Sequence, residues 1–303
     1  MTARLTKDQV KASFVKINNW GRWGKEDQRG ALNYITPEKR AAAAKLAKAG
    51  EIVSCAQPLA TRPGPDVTQP VQHMMLHVGA PVAALDYFGI ASHGFAITHL
   101  DALCHVFWEG KMYNGYSARE VTPAGARKCA IDVTRDGIVT KGVLLDIPKV
   151  RKVDFLEPGD AIYPEELDAA EKLHGARVEE GDVLLIRTGR HLRSKTKGAW
   201  SARREGLAGL DAACLPWLHE RKIALLGCDG VSDCSPSHYA PEFEMPVHVG
   251  TLVMMGVHLL DNADLEALST ACAKHNRYEF LFTMAPLILE RGTASPVNPI
   301  AML

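Results

Sequence analysis

The sequence predicts an α/β fold, and three observations carry that prediction. Short, strongly apolar runs such as Val183-Leu184-Leu185-Ile186 have the length and continuity of strands buried on both faces. Between such runs lie helix starts marked by a cap and an early proline, as in Thr36-Pro37-Glu38. The chain has 303 residues, 47% hydrophobic and 23% charged, which is enough apolar material for a sizeable core.

In chain order, residues 1–35 read as an irregular N-terminal extension and residues 36–303 as one domain. Within the extension, Trp20 and Trp23 flank Gly21 and Arg22 with neither helical nor strand period. Such aromatics either pin the extension to the body or line a substrate pocket, their own or a neighbouring subunit's. Thr36 then caps a helix whose alanine-rich run continues to Lys48 and stops at Gly50. Pro63-Gly64-Pro65 is loop punctuation. The run from Val71 to His77 fits helix or strand, and His73 and His77 are expected in a pocket wall or as satisfied core histidines. Val143-Leu144-Leu145-Asp146 reads as a buried strand, and Tyr163-Pro164-Glu165-Glu166 opens a second helix that ends at His174-Gly175. Val183 to Ile186, Ile223-Ala224-Leu225-Leu226 and Phe280-Leu281-Phe282-Thr283 complete the strands. No internal repeat or low-complexity linker divides the chain.

The 35 basic and 35 acidic residues cancel, so no global field draws the chain to nucleic acid or an anionic membrane. A small-molecule substrate fits better as a partner. The seven cysteines, Cys55, Cys104, Cys129, Cys214, Cys228, Cys234 and Cys272, are scattered and form no C-x-x-C pair. With a polar start after Met1 and no apolar window of membrane-spanning length, they predict a cytoplasmic protein. Cys104 reads as a small core residue. No G-x-S-x-G elbow supports a Ser-His-Asp hydrolase. Gly206-Leu207-Ala208-Gly209 lacks both the Walker lysine and the Rossmann spacing, so no nucleotide cofactor is implied. Asp229, at the end of its strand, is expected to orient a neighbouring histidine or backbone group.

The chemistry concentrates in Thr98-His99-Leu100-Asp101-Ala102-Leu103-Cys104-His105, which holds two imidazoles and a carboxylate. If Thr98 to Asp101 is extended, His99 and Asp101 project from one face. A helix starting at Asp101 places His105 one turn further on, and a strand-to-helix bend of that kind converges all three on one divalent ion.

His99-x-Asp101-x3-His105, followed by Gly110-Lys111-Met112-Tyr113-Asn114-Gly115, resembles the core of the metal-dependent cyclase family, which includes bacterial kynurenine formamidase and isatin hydrolase. Its longer branch is the more similar. Further landmarks are Asn19-Trp20-Gly21-Arg22-Trp23-Gly24 leading to Gly30-Ala31-Leu32-Asn33, the run Gly181 to Gly189, and Pro246-Val247-His248. The resemblance implies a swivelling β/β/α architecture, with a mixed sheet core and flanking helices, assembled as a homodimer or homotetramer. It also implies a divalent metal, and mixed imidazole and carboxylate ligation suits Zn2+ and Mn2+ alike.

On the family motif His-x-Gly-Thr-His-x-Asp-x-Pro-x-His, this chain places His99, Asp101 and His105, with Leu103 at the proline. Phe95 stands where the first His belongs. It cannot bind a metal and is expected instead as an apolar pocket wall, with Trp20, Trp23 and Tyr113 as further substrate-binding candidates. His93 is the substitute ligand, yet six extended steps to His99 span about 20 Å, so it reaches only if the chain loops back. His248 is the next candidate ligand. Asp261 follows as the acid after the next apolar run, one residue later and one methylene shorter than the family's Glu, with helix capping as its alternative role.

A divalent ion held by His and Asp polarises a carbonyl oxygen and lowers the pKa of water toward neutrality. An imidazole can then take the water proton and deliver it to the leaving nitrogen or oxygen. The resemblance makes His105 that acid/base if one metal is bound, or a ligand if two are. The expectation is a metal-dependent hydrolase that opens an amide, lactam or lactone bond of a small cyclic or aromatic substrate. A lactone-specific hydrolase stands beside it. So does a non-catalytic small-molecule binding protein on the same scaffold, because the first motif His is missing.

Overall fold

Alternating buried strands and capped helices build, in a computed structural model, a nine-stranded mixed sheet with helices packed around it. The structure describes residues 4–79 and 82–303. The strands lie in the order Ile52–Ser54, Ile300–Met302, Glu279–Met284, Ile138–Asp146, Val183–Arg187, Leu225–Cys228, His258–Asp261, His99–Asp101 and Ala294–Pro296. The central strands from Ile138–Asp146 to His258–Asp261 run parallel. Those on either side are antiparallel. Every residue of Val183–Arg187 and of Leu225–Cys228 is buried, which is why these strands read as unbroken apolar runs.

The helix starts follow their caps. Thr36 Oγ1 accepts from the Lys39 N–H at 3.1 Å, and the Glu166 carboxylate reaches back to the Tyr163 N–H at 3.0 Å. The first of these helices ends at Ala44 instead of continuing to Lys48. The carbonyl of Leu303 accepts from both Ala49 and Gly50, and this draws the chain out of the helix.

The N-terminal segment is less irregular than expected. A helix over Lys7–Lys16 buries Val10 and Phe14, and Ile17 follows them into the same core as the sheet. That spacing marks one helical face, but the lysine-rich surroundings obscure it. Further along, Trp20 Nε1 donates to the Val253 carbonyl at 2.7 Å, and Trp23 packs edge-on against Tyr34 at 4.9 Å. Asn114, in the left-handed conformation, donates to the carbonyls of Gly24, Lys25 and Asp27. Gly30 meets Gly256 backbone to backbone, where an added Cβ would lie 2.1 Å from the Gly256 oxygen.

Gln72–His77 and Leu85–Gly89 pair as an antiparallel hairpin separate from the main sheet. His73 and His77 are therefore exposed, not in a pocket wall or the core as expected, and His73 Nε2 meets Asp86 at 2.9 Å. The apolar run Met74-Met75-Leu76 beside them faces water, so hydrophobicity here does not mean burial. The seven cysteines are buried and unbridged. Among the described residues, no helix is long and apolar enough to cross a membrane.

Candidate metal centre

Strand alternation sets the first two groups. His99 and Asp101 project from one face of their strand, and all three residues of the strand are buried. No helix begins at Asp101, contrary to expectation. Ala102 stays paired, its N–H donating to the Thr293 carbonyl at 3.0 Å, and the chain then turns so that the His105 N–H donates to Ala102. This turn still returns His105 Nε2 to 3.9 Å from Asp101 Oδ2.

His93 arrives by the loop that its sequence distance demands. Gly94 turns the chain at φ +121. Beyond it the backbone is clamped: Asn262 Nδ2 donates to the carbonyls of Gly94 at 2.7 Å and Ile97 at 3.1 Å, and Arg190 Nη2 donates to that of Phe95 at 2.8 Å. Arg190 also donates to Asn262 Oδ1 at 2.7 Å, and Asp66 balances its buried charge at 2.9 Å. Asp229 takes the backbone role of its two expected ones, accepting from the N–H groups of Thr188, Gly189 and Arg190. The clamped loop sets His93 Nδ1 3.0 Å from Asp101 Oδ1, with its ring stacked on His105 at 3.7 Å. His93 thus supplies an imidazole where position 95 lacks one.

The opposite flank comes from the strand His258–Asp261 and the short helix Pro246–His248. Asp261 ends its strand directly opposite His99 in the ladder. It caps no helix; the acid that accepts at the start of Glu266–His275 is Asp264. His248 Nε2 lies 3.6 Å from Asp261 Oδ2 and 3.9 Å from Asp101 Oδ2. Its other nitrogen is held by Asp233, which also accepts from the N–H groups of Val247 and His248. Sequence reasoning missed Asp233 and also His258, whose Nδ1 lies 2.8 Å from the Asp101 carbonyl. Neither carries a local signal, because each meets its partner only through the fold.

Two triplets of potential ligand atoms result, from His93, Asp101 and His105 and from His99, Asp101 and Asp261, each within 4.8 Å of one another. Both Asp101 oxygens, His93 Nδ1 and Asp261 Oδ1 are buried without a hydrogen bond of proper geometry. Leaving such groups unpaired costs about 1–3 kcal/mol each. A divalent cation removes that cost, and the donor set of imidazole nitrogens and carboxylate oxygens fits one.

The electrostatics agree with this. Burial opposes the charge on Asp101, yet His93 and His99 beside it hold its carboxyl well below the usual carboxylate range. Burial also works against a charged His99, but Asp101 and Asp261 raise it to about 9. His248 is raised in the same way, against its burial, by Asp233 and Asp261. His105 differs: burial outweighs Asp101 and lowers it to about 4, so its neutral form prevails at pH 7.

These groups line a cavity of about 160 Å3 that Phe95, Val231 and Met245 close on the apolar side. A larger groove of about 640 Å3 shares His93, Gly94 and Phe95 and is walled by Trp200. Phe95 itself packs against Trp200, Ala202 and Leu207. Trp20, Trp23 and Tyr113 do not join the cavity of their own chain. Tyr113 is fully buried and donates to Asp27 at 2.8 Å, so with Trp20 it fastens the N-terminal segment.

The Cyclase family model, described as "Putative cyclase", matches residues 65–233. The crystal structure of a novel cyclase superposes with a TM-score of 0.85 at 30% identity, covering 96% of this chain and 99% of that one. An isatin hydrolase bound to the product analogue thioisatinate superposes at 0.60 and 19% identity, covering 87% of this chain and 96% of that one. Isatin hydrolase A from Ralstonia solanacearum gives 0.57 at 24% identity, covering 86% and 95%. The two isatin hydrolases share the fold. Comparison with curated proteins found no match.

Proposed function

This chain belongs to the Cyclase family, and we propose that it is a metal-dependent hydrolase opening an amide, lactam or lactone bond of a small cyclic or aromatic substrate. One observation carries the reading: Asp101, His93 and Asp261 turn buried, hydrogen-bond-free oxygen and nitrogen atoms toward one cavity. The isatin hydrolases that share the fold support a cyclic amide as substrate. His93, His99 and Asp101, with His248 and Asp261 across the cavity, would hold the ion, and their mixed donors suit Zn2+ or Mn2+. When bound, it supplies polarisation of the substrate carbonyl and acidification of a neighbouring water.

The chain's own residues do the rest. His105 Nε2, on an imidazole that is neutral at pH 7, takes the proton of the attacking water and gives it to the leaving nitrogen or oxygen. Phe95 and Met245 exclude bulk water and offer a flat ring an apolar seat. Asp233 fixes the His248 ring, and Asn262 and Arg190 hold the loop that carries His93. The reading as a non-catalytic binding protein rests on the missing imidazole at position 95, and His93 beside Asp101 favours the hydrolase over it.

Metal analysis of protein purified without chelator, followed by hydrolysis assays on aryl formamides, cyclic imides and lactones, tests the proposal. Near-stoichiometric metal and chelator-sensitive hydrolysis are expected. Metal-free protein that binds these compounds without turnover would overturn it.

A further inference from the structure

We propose that the substrate of this chain extends from the metal centre into the adjoining groove, where Arg203 and Arg204 receive a carboxylate on its tail. The inference rests on the hydrolase reading above and adds a substrate class to it: a ring that bears an anionic arm.

Volume is the first ground. The cavity at the candidate ligands measures about 160 Å3. A cavity of about 150 Å3 takes one benzene ring, whereas pockets for larger ligands run roughly 300–1,000 Å3. The groove, at about 640 Å3, falls in the second range and shares His93, Gly94 and Phe95 with the cavity. A single ring therefore fills the first space and leaves the second unused.

Charge selects what the arm carries. The formally charged side chains lining the groove are Asp66, Arg203, Arg204 and Glu205. Both oxygens of Asp66 are engaged: Oδ2 pairs with Arg190 at 2.9 Å, and Oδ1 accepts the Ala202 N–H at 2.7 Å. Glu205 Oε1 accepts the Ser201 N–H at 3.3 Å. Arg203 and Arg204 are exposed, and their guanidinium groups make no hydrogen bond, ion pair or ring contact with any described residue. Glu205 offsets one of these two charges at most, so the groove keeps a positive excess. A guanidinium presents a planar fork of donors that matches a carboxylate.

The arginines also stand in a fixed relation to the metal centre. Their short helix, Ala202–Glu205, is tied at its start by Asp66 and just past its end by Trp200 Nε1, which donates to the Gly206 carbonyl at 3.0 Å. Arg193 lies over the Trp200 ring at 4.2 Å and holds it in turn. The Arg190 that pairs with Asp66 is the same residue that clamps the loop carrying His93. One ion pair thus anchors both the candidate ligand and the wall that bears the arginines.

Aryl formamides with a para carboxylate on alkyl arms of increasing length, each beside its neutral primary amide, test this on the metal-loaded enzyme. At least one carboxylate should show a KM about 5- to 10-fold below that of its amide at similar kcat, as expected for exposed arginine–carboxylate pairs. Arg203→Gln with Arg204→Gln should bring that ratio to about one. If the double variant misfolds, salt gives the same reading on the wild type, where the ratio should shrink as ionic strength rises from about 0.02 to 0.5 M. Calorimetric titration of the same pairs lets the two readings fail separately: an arginine-dependent preference in binding without turnover removes the hydrolase and keeps the subsite. No preference for the carboxylate in either measurement overturns the proposal, as does a preference that the double variant or high salt leaves intact.

Discussion

His248 Nδ1 lies 2.5 Å from Asp233 Oδ2, and both residues are buried. The contact holds a proton on His248 Nδ1, so once a metal displaces the proton from Nε2 the lone pair there would face Asp101 and Asp261. Asp233→Asn keeps the shape but offers an amide that can present N–H to the ring and favour the wrong tautomer. Metal affinity should fall about 10- to 100-fold, measured by calorimetric titration of the metal into the apo-protein. Unchanged affinity would leave Asp233 only its role at the start of the Pro246–His248 helix.

The clamp on the 94–97 loop makes a separate prediction. Asn262→Ala removes the donors to Gly94 and Ile97, and Arg190→Lys cannot serve Phe95, Asn262 and Asp66 together because an ammonium lacks the planar fork. Both variants should lose metal affinity through His93 while keeping the sheet folded, at a destabilisation of about 1–4 kcal/mol. Denaturant unfolding and metal titration on the same samples separate the two effects. Full affinity in both variants would mean that the loop holds itself.

These two networks explain what the sequence could and could not reveal. The apolar runs at 183–186 and 225–226 announced strands because parallel strands are buried on both faces, and alternation alone aimed His99 and Asp101 together. His93 appeared only as a conditional candidate. Its reach depends on Asn262 and Arg190, which sit far along the chain and carry no motif. Asp233 and His258 were silent for the same reason. Trp20, left between pinning the extension and lining a pocket, fastens the N-terminal segment here, and so does Tyr113. The hairpin misled most plainly: an apolar run reads as core unless something shows that no layer of its own chain covers it.

His99 and Asp101 face the cavity from one strand, and Asp101 contributes to both triplets of potential ligands. Replacing either with Ala should therefore strip the metal. Plasma emission analysis of the purified variants checks this, and full stoichiometry in both would refute the assignment.

His105 stacks on His93 but lies 3.9 Å from Asp101, further than His93 or His99. His105→Ala should leave metal content largely intact while lowering turnover by about two to four orders of magnitude. Loss of one of two metal equivalents would make His105 a ligand in a two-metal site. Near-normal turnover would remove both roles.

Phe95, like His93, lines both the small cavity and the larger groove, and its backbone carbonyl is fixed by Arg190. The ring can therefore be removed without releasing the loop, which separates its contact with substrate from its place beside the ligands. Phe95→Ala should raise KM for aryl substrates by roughly 10-fold, the loss expected for one aromatic contact of about 1 kcal/mol plus its buried area. Substrates without a ring should be less affected, and kcat and metal content should stay near wild type because no ligand moves. A uniform fall in kcat across ring-bearing and ring-free substrates would show that Phe95 acts by positioning His93. Unchanged KM throughout would place the ring outside the substrate's path.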